Sequence, residues 1–245
     1  MDLEGTGITS LATNHAVFHL DQEHTGVRYA IIGTLFLTFL LGYWLSSYVL
    51  RSLFPEISTT AILSCLGAVP ISLLFAAGVE WMLKRTWHSG RTLAVDSENI
   101  TLHLPEGKDR VIFRRKILNQ LWWQLPLSGY ARGGRERRMP AKWYCMAGQL
   151  QQDETRIVVY CYVSPKRRRR WLDSYEFEKL SPEDVYNTSF SGRIGSPNRP
   201  ELPPEVIAGR QGRFWLAERN RWRDGVEMSQ EDFEQFLSML HARES

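Results

Sequence analysis

Two long stretches of the chain carry no charge. Tyr29 to Leu50 is a run of 22 uncharged residues bounded by Arg28 and Arg51, and Ile57 to Val79 is a run of 23 bounded by Glu56 and Glu80. As a helix, either run spans the roughly 30 Å hydrocarbon core of a bilayer at about 1.5 Å per residue. The alternative is a buried core helix, and two such runs separated only by Arg51–Glu56 argue against it. Tyr43, Trp44 and Tyr48 near the end of the first run, and Trp81 just past the second, are placed as interfacial aromatics are. Pro55 in the short link breaks the helix, so the pattern predicts a tight antiparallel hairpin. Small residues recur every four positions: Thr34, Thr38, Gly42 and Ser46 in the first helix, and Thr60, Ser64, Ala68, Ser72 and Ala76 in the second. Such stripes allow close backbone approach in lipid. The stripes read either as a seam for another chain or as the packing of the hairpin on itself, and the second is favoured. Pro70 predicts a kink, and Glu80 reads as an interface residue rather than a proton relay.

From residue 91 the pattern changes to alternation, the signature of strands. It predicts strands at Thr92–Val95, Ile100–Leu104, Val111–Phe113, Gln120–Leu125, Lys142–Leu150, Thr155–Val163 and Gly212–Ala217, with turns at Asp96–Asn99, Pro105–Asp109 and Gln151–Glu154. The run Ile157–Val163 is the strongest β stretch in the chain. The chain closes on a helix: Ser229–Asp232 is a capping-box-like start, and Phe233, Phe236, Leu237 and Leu240 fall on one face, with Arg243 near the C-terminal dipole end. A short helix is expected from Ser181 to Asp184, with Pro182 in its first turn. Residues 188–211, rich in Gly, Pro and Ser, read as an exposed loop. The first 27 residues are polar and read as a loose tail or a short helix.

Charge is divided unevenly. Residues 1–83 hold two basic residues (Arg28, Arg51) and six acidic ones (Asp2, Glu4, Asp21, Glu23, Glu56, Glu80); nearly all the basic residues lie beyond. Lys84, Arg85 and Arg91 follow the second apolar run, whereas the link between the runs has Arg51 alone. The positive-inside rule then puts the C-terminal part in the cytoplasm, and two spans return the N-terminus to the same side. The expected location is the inner (plasma) membrane. The start lacks a basic n-region and does not read as a cleavable signal peptide.

Taken together, the uncharged runs 29–50 and 57–79, the strand series Leu93–Leu125, the hairpin Lys142–Val163 and the final helix Gln230–Arg243 resemble bacterial membrane proteins in which a two-helix transmembrane hairpin precedes a pleckstrin-homology-like (PH-like) domain. The resemblance covers roughly residues 28–243 and rests on architecture rather than an invariant motif. It implies an α+β membrane protein: residues 1–27 a polar tail, 28–83 the hairpin, and 84–245 a cytoplasmic seven-stranded β-barrel or sandwich closed by the C-terminal amphipathic helix. Segments 126–141 and 164–211 exceed what a minimal domain of that kind needs. The resemblance implies a binding or assembly module without a defined activity.

The cytoplasmic part has four basic concentrations: Arg110/Arg114/Arg115/Lys116, Arg132/Arg135/Arg137/Arg138, Lys166/Arg167/Arg168/Arg169/Arg170 and Arg219/Arg221/Arg223. The third is the sharpest, five cations in a row ending at Trp171. A tethered domain stays near an anionic inner leaflet, where each cation is worth about 1 kcal/mol and Trp171 would add an anchor. The bland reading is a solvated loop or one paired with acidic neighbours. Nucleic acid is a third reading, disfavoured by the membrane anchor and by Asp173, Glu176 and Glu178. Trp122, Trp123, Trp143, Trp215 and Trp222 read mainly as core, although consecutive Trp122 and Trp123 must face opposite sides of a strand, leaving one for lipid or a partner.

The sequence carries no nucleophile elbow, phosphate loop, dinucleotide fingerprint or zinc-protease motif. His15 and His19 share a helix face if that segment is helical, but no further ligand completes a metal site. Cys145 and Cys161, on the two arms of one hairpin, read as buried inert thiols. No cofactor or metal is expected. The expected function is therefore non-enzymatic: the PH-like domain binds a protein partner or acidic phospholipid headgroups as an anchor, scaffold or regulator, with Lys166–Trp171, Arg135, Arg137 and Arg138 as the candidate contacts. The alternative is an accessory or assembly subunit of a larger membrane complex, in contact with other subunits or with copies of itself. A transporter would find little to work with in two spans without a buried charge.

Overall fold

The computed structural model describes residues 15–21, 25–53, 59–116, 119–128, 139–182, 185 and 201–241. Its contacts divide the chain into two compact units, one spanning Asp21–Ser89 and the other formed by the residues up to Leu20 together with those from Gly90 onward.

The first unit is a pair of helices, α1 (Thr25–Leu53) and α2 (Thr60–Thr86). Both are long and apolar enough to cross a membrane by length and composition. They are built inside out relative to a soluble helix pair. The buried residues of α2 are Ser64, Ala68, Ser72 and Ala76. Thr34, Thr38, Gly42 and Ser46 of α1 are half-buried, while Phe36, Leu37, Trp44, Leu66, Leu74 and Phe75 are exposed. Small residues at the seam with large apolar ones facing out is the packing pattern known for helices in lipid, where there is no hydrophobic drive to bury the large side chains. The close approach is centred on Gly42, where an added Cβ would stand 3.5 Å from both Cα and Cβ of Ala68. The seam hydroxyls are satisfied within their own helices: Thr38 donates to Thr34 O at 2.7 Å and Ser64 to Thr60 O at 2.7 Å. Helix α2 runs through Pro70 as one element. Near its end Glu80 pairs with Lys84 at 2.8 Å, and the Arg85 guanidinium lies 4.1 Å above the Trp81 ring.

The second unit holds two sheets. Four antiparallel strands, β1 (Ala16–His19), β2 (Thr92–Val95), β3 (Asn99–His103) and β4 (Arg110–Phe113), lie in that order in sheet A. Sheet B has the order β8-β5-β6-β7-β9, from β5 (Asn119–Pro126), β6 (Tyr144–Gln152), β7 (Thr155–Val163), β8 (Glu178–Lys179) and β9 (Val226–Glu227). The helices are α3 (Pro165–Leu172), α4 (Pro204–Ala208), α5 (Gly212–Asp224) and α6 (Gln230–His241). Of the seven-stranded barrel or sandwich expected from the sequence, the α+β character holds, but the described strands form two sheets that do not close into a barrel.

Sheet B is covered on both faces. On one, Met146, Leu150, Ile157, Val159 and Cys161 pack with Phe18, Leu93, Ile100 and Ile112 of sheet A and with Phe233, Phe236 and Leu237 of α6. On the other, Trp123, Leu125, Cys145, Val158 and Tyr162 pack under Phe214, Trp215 and Ala217 of α5. A strand buried on both faces is apolar at every position, which accounts for the unbroken run Ile157–Val163.

Three local expectations are corrected. The polar N-terminal segment, expected as a loose tail or short helix, contributes the strand β1, paired to β2 through Ala16↔Val95 and His19↔Thr92. It is held by Phe18 and Leu20, both buried, whose burial stabilises by about 3–6 kcal/mol. The strand expected at Gly212–Ala217 is the start of α5. Part of the loop expected over 188–211 is helix α4, and the rest of that stretch up to residue 200 lies outside the described residues. The short helix expected at Ser181–Asp184 also runs into residues outside the description. At the expected Asp96–Asn99 turn, the Asp96 carboxylate accepts the N–H groups of Glu98 at 2.7 Å and Asn99 at 2.6 Å. Those two bonds, that from Asn99 foremost, hold its carboxyl below the ordinary range.

Candidate functional site

The five-cation run is a helix, not a loop. Ser164, in an extended conformation, caps α3 by accepting the Arg167 N–H at 3.4 Å, and Pro165 opens the helix. Arginine is a good helix former, and Arg169 and Arg170 sit in the last turn, where cations complement the helix dipole.

Helical spacing then sorts the run into two faces. Arg167 turns toward α6: its Nη1 donates to Gln230 Oε1 at 2.6 Å and to Glu231 Oε1 at 2.8 Å, and its Nη2 lies 3.7 Å from Glu234 Oε2. Its hydrogen bond holds the Glu231 carboxyl below the ordinary range. Arg168 donates from Nε to Gln124 Oε1 and places its guanidinium 4.3 Å above the Tyr144 ring. Trp171 is only 2 % exposed and stacks on Phe233, with centroids 5.5 Å apart. Its expected role as an interfacial anchor is corrected: it is a core residue that pins α3 to α6. Lys166, Arg169 and Arg170, at i, i+3 and i+4, are exposed on the remaining face, with exposed Asp173 one turn on.

The other basic groups divide in the same way. Arg110 Nη1 reaches Arg156 O and Asp224 Oδ2, both at 3.2 Å, and Arg114 donates to Asp96 O and Met239 O. These are structural ties, while Arg115 and Lys116 are exposed. Arg135, Arg137 and Arg138, with Arg132, lie outside the described residues.

The sequence reading missed a buried charged cluster. Arg221, counted there in one of the four basic concentrations, is buried and donates from Nε to Glu218 Oε2 and from Nη2 to Glu218 Oε1, both at 2.8 Å. Trp123 Nε1 donates to the same Glu218 Oε2 at 2.9 Å, and the Arg221 guanidinium lies 4.7 Å from the Tyr160 ring centre. The i, i+3 spacing of Glu218 and Arg221 would have revealed the pair once the segment was read as a helix. Trp122 is also core: its ring packs edge-on against Phe177, Phe233 and Phe236. Trp122 and Trp123 thus serve the two faces of sheet B, and neither is left over for lipid.

His15 lies just before β1 and His19 ends it, so in extended chain they stand about 13 Å apart rather than on one helix turn. Among the described residues no group of three or more His, Cys, Asp or Glu side chains is close enough to hold a metal. Cys145 and Cys161 lie on adjacent strands but in the cores on opposite faces of sheet B. Burial pushes the Cys161 thiol well above its ordinary range. A groove of about 1080 Å³ opens beside β5 and β8, lined in part by Gln120, Trp122, Tyr175, Phe177, Arg213 and His241.

Compared with known proteins, the chain matches no family model, no curated protein and no solved structure.

Proposed function

We propose that this chain is a non-enzymatic integral membrane protein whose cytoplasmic domain binds acidic phospholipid headgroups through Lys166, Arg169 and Arg170. One observation carries the reading: after Arg167 and Arg168 are engaged inside the domain, these three cations remain exposed on one face of a helix held firmly by Trp171. Three cations near an anionic surface contribute about 3 kcal/mol, roughly a hundredfold in affinity. The anchor is the α1–α2 hairpin, with both termini on the cytoplasmic side. The pairing of β1 with β2 supports that topology, because strands on either side of the hairpin can join one sheet only if the hairpin crosses the bilayer an even number of times.

The test is equilibrium binding of a fluorescent phosphatidylglycerol to the full-length protein in mild neutral detergent. Replacing Lys166, Arg169 and Arg170 together by Ala should weaken binding by about two orders of magnitude at low salt. Unchanged affinity in that triple variant would remove the assignment.

A further inference from the structure

One ladder of sheet B stops short. β6 runs beside β5 over its whole length, from Asn119 to Pro126. On the other side β8 pairs only with Trp123 and Gln124. Leu127 N–H donates to Trp143 O on the β6 side, and Gln124 O accepts from Leu180 N–H on the β8 side. Backbone groups alternate in direction along an extended strand, so those of Gln120 and Trp122 point the way those of Gln124 do, away from β6. Among the described residues no strand stands opposite Gln120. The first half of β5, Asn119–Trp122, therefore presents a free edge about 13 Å long.

This edge forms one wall of the groove of about 1080 Å³, and residues 174–177, which lead into β8 without pairing to β5, form another. Trp122, Tyr175 and Phe177 pack against the core yet stay partly exposed there. The His241 ring lies 4.8 Å from that of Tyr175 and 6.5 Å from that of Trp122, centre to centre. His241 Nδ1 donates to Leu237 O at 3.0 Å, since a carbonyl oxygen only accepts, and the neutral ring keeps Nε2 as an acceptor. Two carboxylates, Glu176 and Glu178, line the groove against one guanidinium, that of Arg213. In a chain of net charge +3 this is a local reversal of sign. Aromatic rings, a carboxylate and an imidazole acceptor together are surroundings that stabilise a cation.

A free strand edge is completed by another extended segment, whose backbone continues the ladder. Side chains of an added strand alternate between the two faces of the sheet, so every second one falls on the face of Trp122 and His241. We propose that the groove beside β5 binds an extended peptide segment of a partner protein by strand addition, with Arg or Lys at alternate positions on the Trp122 side. This does not depend on the headgroup reading, which uses neither Gln120 nor Glu176.

The experiment selects random heptapeptides displayed on phage against the full-length protein in mild neutral detergent, then measures the affinity of the enriched peptides in synthetic form. Two variants are compared. Gln120→Pro removes the outward N–H and spares the β6 ladder, since proline is tolerated on the free side of an edge strand. Glu176→Lys reverses a charge at an exposed position. The expected result is a set of peptides with basic residues at alternate positions, whose affinity falls about three- to tenfold in Gln120→Pro. Glu176→Lys should weaken them as well, more at low salt than at high. Should Gln120→Pro lose its native tryptophan fluorescence, Glu176→Lys decides alone. Peptides that bind the variants as tightly as the unaltered chain overturn the proposal, as do enriched peptides that are acidic or lack the alternation. No enrichment on the unaltered chain also overturns it. A dimer in detergent that Gln120→Pro converts to a monomer assigns the edge to a second copy and overturns it too.

Discussion

The ring of Trp122 lies directly over Gly148 on the neighbouring strand: a Cβ added at Gly148 would stand 2.0 Å from Trp122 Cζ3. The glycine is the space into which the indole fits. Replacing Gly148 by Ala should destabilise the domain by about 1–3 kcal/mol, read from denaturant unfolding followed by tryptophan fluorescence. Combining it with Trp122→Leu should cost less than the two changes summed; strict additivity would mean the contact is not the cause.

The carboxylate of Glu218 is buried with Arg221 and Trp123 as its donors. Arg221→Met should cost about 3–5 kcal/mol, because it leaves a buried charge without its counter-ion. Adding Glu218→Leu should restore part of that loss. A double variant as unstable as the sum of both singles would show that packing, not charge, holds α5 to sheet B.

Acid should loosen the α3–α6 contact. The Glu231 carboxyl is held below its unfolded-state value, so its contribution is full above the ordinary carboxylate range and is lost as the pH falls through the lowered value. Asp96 acts with the same sign at the β2–β3 turn. Glu231 is 74 % exposed, so its share is below about 1 kcal/mol. In an Arg167→Met variant the Glu231 part of the acid-dependent loss should shrink to what its own backbone hydrogen bond supplies, which stability measured against pH between 3 and 7 would reveal as a flatter curve.

The helix pair should tolerate a methyl group but not a branched side chain at its seam. At Gly42 an added Cβ makes ordinary contact with Ala68, so Gly42→Ala should fold normally. Gly42→Leu should separate the helices at a cost of about 1–3 kcal/mol, seen as increased protease sensitivity of the link in detergent. Equal protease resistance in both variants would place the seam elsewhere.

Thiol chemistry should distinguish three environments. Cys65 is exposed on α2, whereas Cys145 and Cys161 are buried on opposite faces of sheet B. A membrane-permeant maleimide should modify one thiol in the folded protein and three after unfolding. A disulfide between Cys145 and Cys161 after mild oxidation would contradict the register.

Much of the architecture was written in local pattern. The two helices announced themselves by the absence of charge over more than twenty residues, and the six strands between Thr92 and Val163 by alternation or, in β7, by an unbroken apolar run. Helix α6 was legible because Phe233, Phe236, Leu237 and Leu240 keep a helical period. Helix α5 was not, because two positions of its inner face carry charge: Phe214, Ala217, Glu218 and Arg221 have the same period, but only two of them are apolar. β1 escaped for a different reason. Four residues with two inward side chains, Ala16 and Phe18, are too short a signal, and the partner strand lies more than seventy residues downstream. The site showed the same limits. The run Lys166–Arg170 could be found as a charge cluster, yet only its helical geometry and the acidic face of α6 separate the two occupied arginines from the three exposed cations.

The strand before the hairpin also orders events in time. β1 is synthesised first and cannot find β2 until the 72 residues between them have been made. Sheet A is therefore closed by a long-range contact formed late, after both helices have left the ribosome. If only one helix entered the bilayer, Phe18 and Leu20 would be stranded on the far side and the core would lack its edge. On the membrane reading proposed above, completion of this small sheet registers that both helices have been threaded, and a chain with one helix left out of the bilayer keeps an open edge and exposed apolar core, the features by which unfinished proteins are triaged.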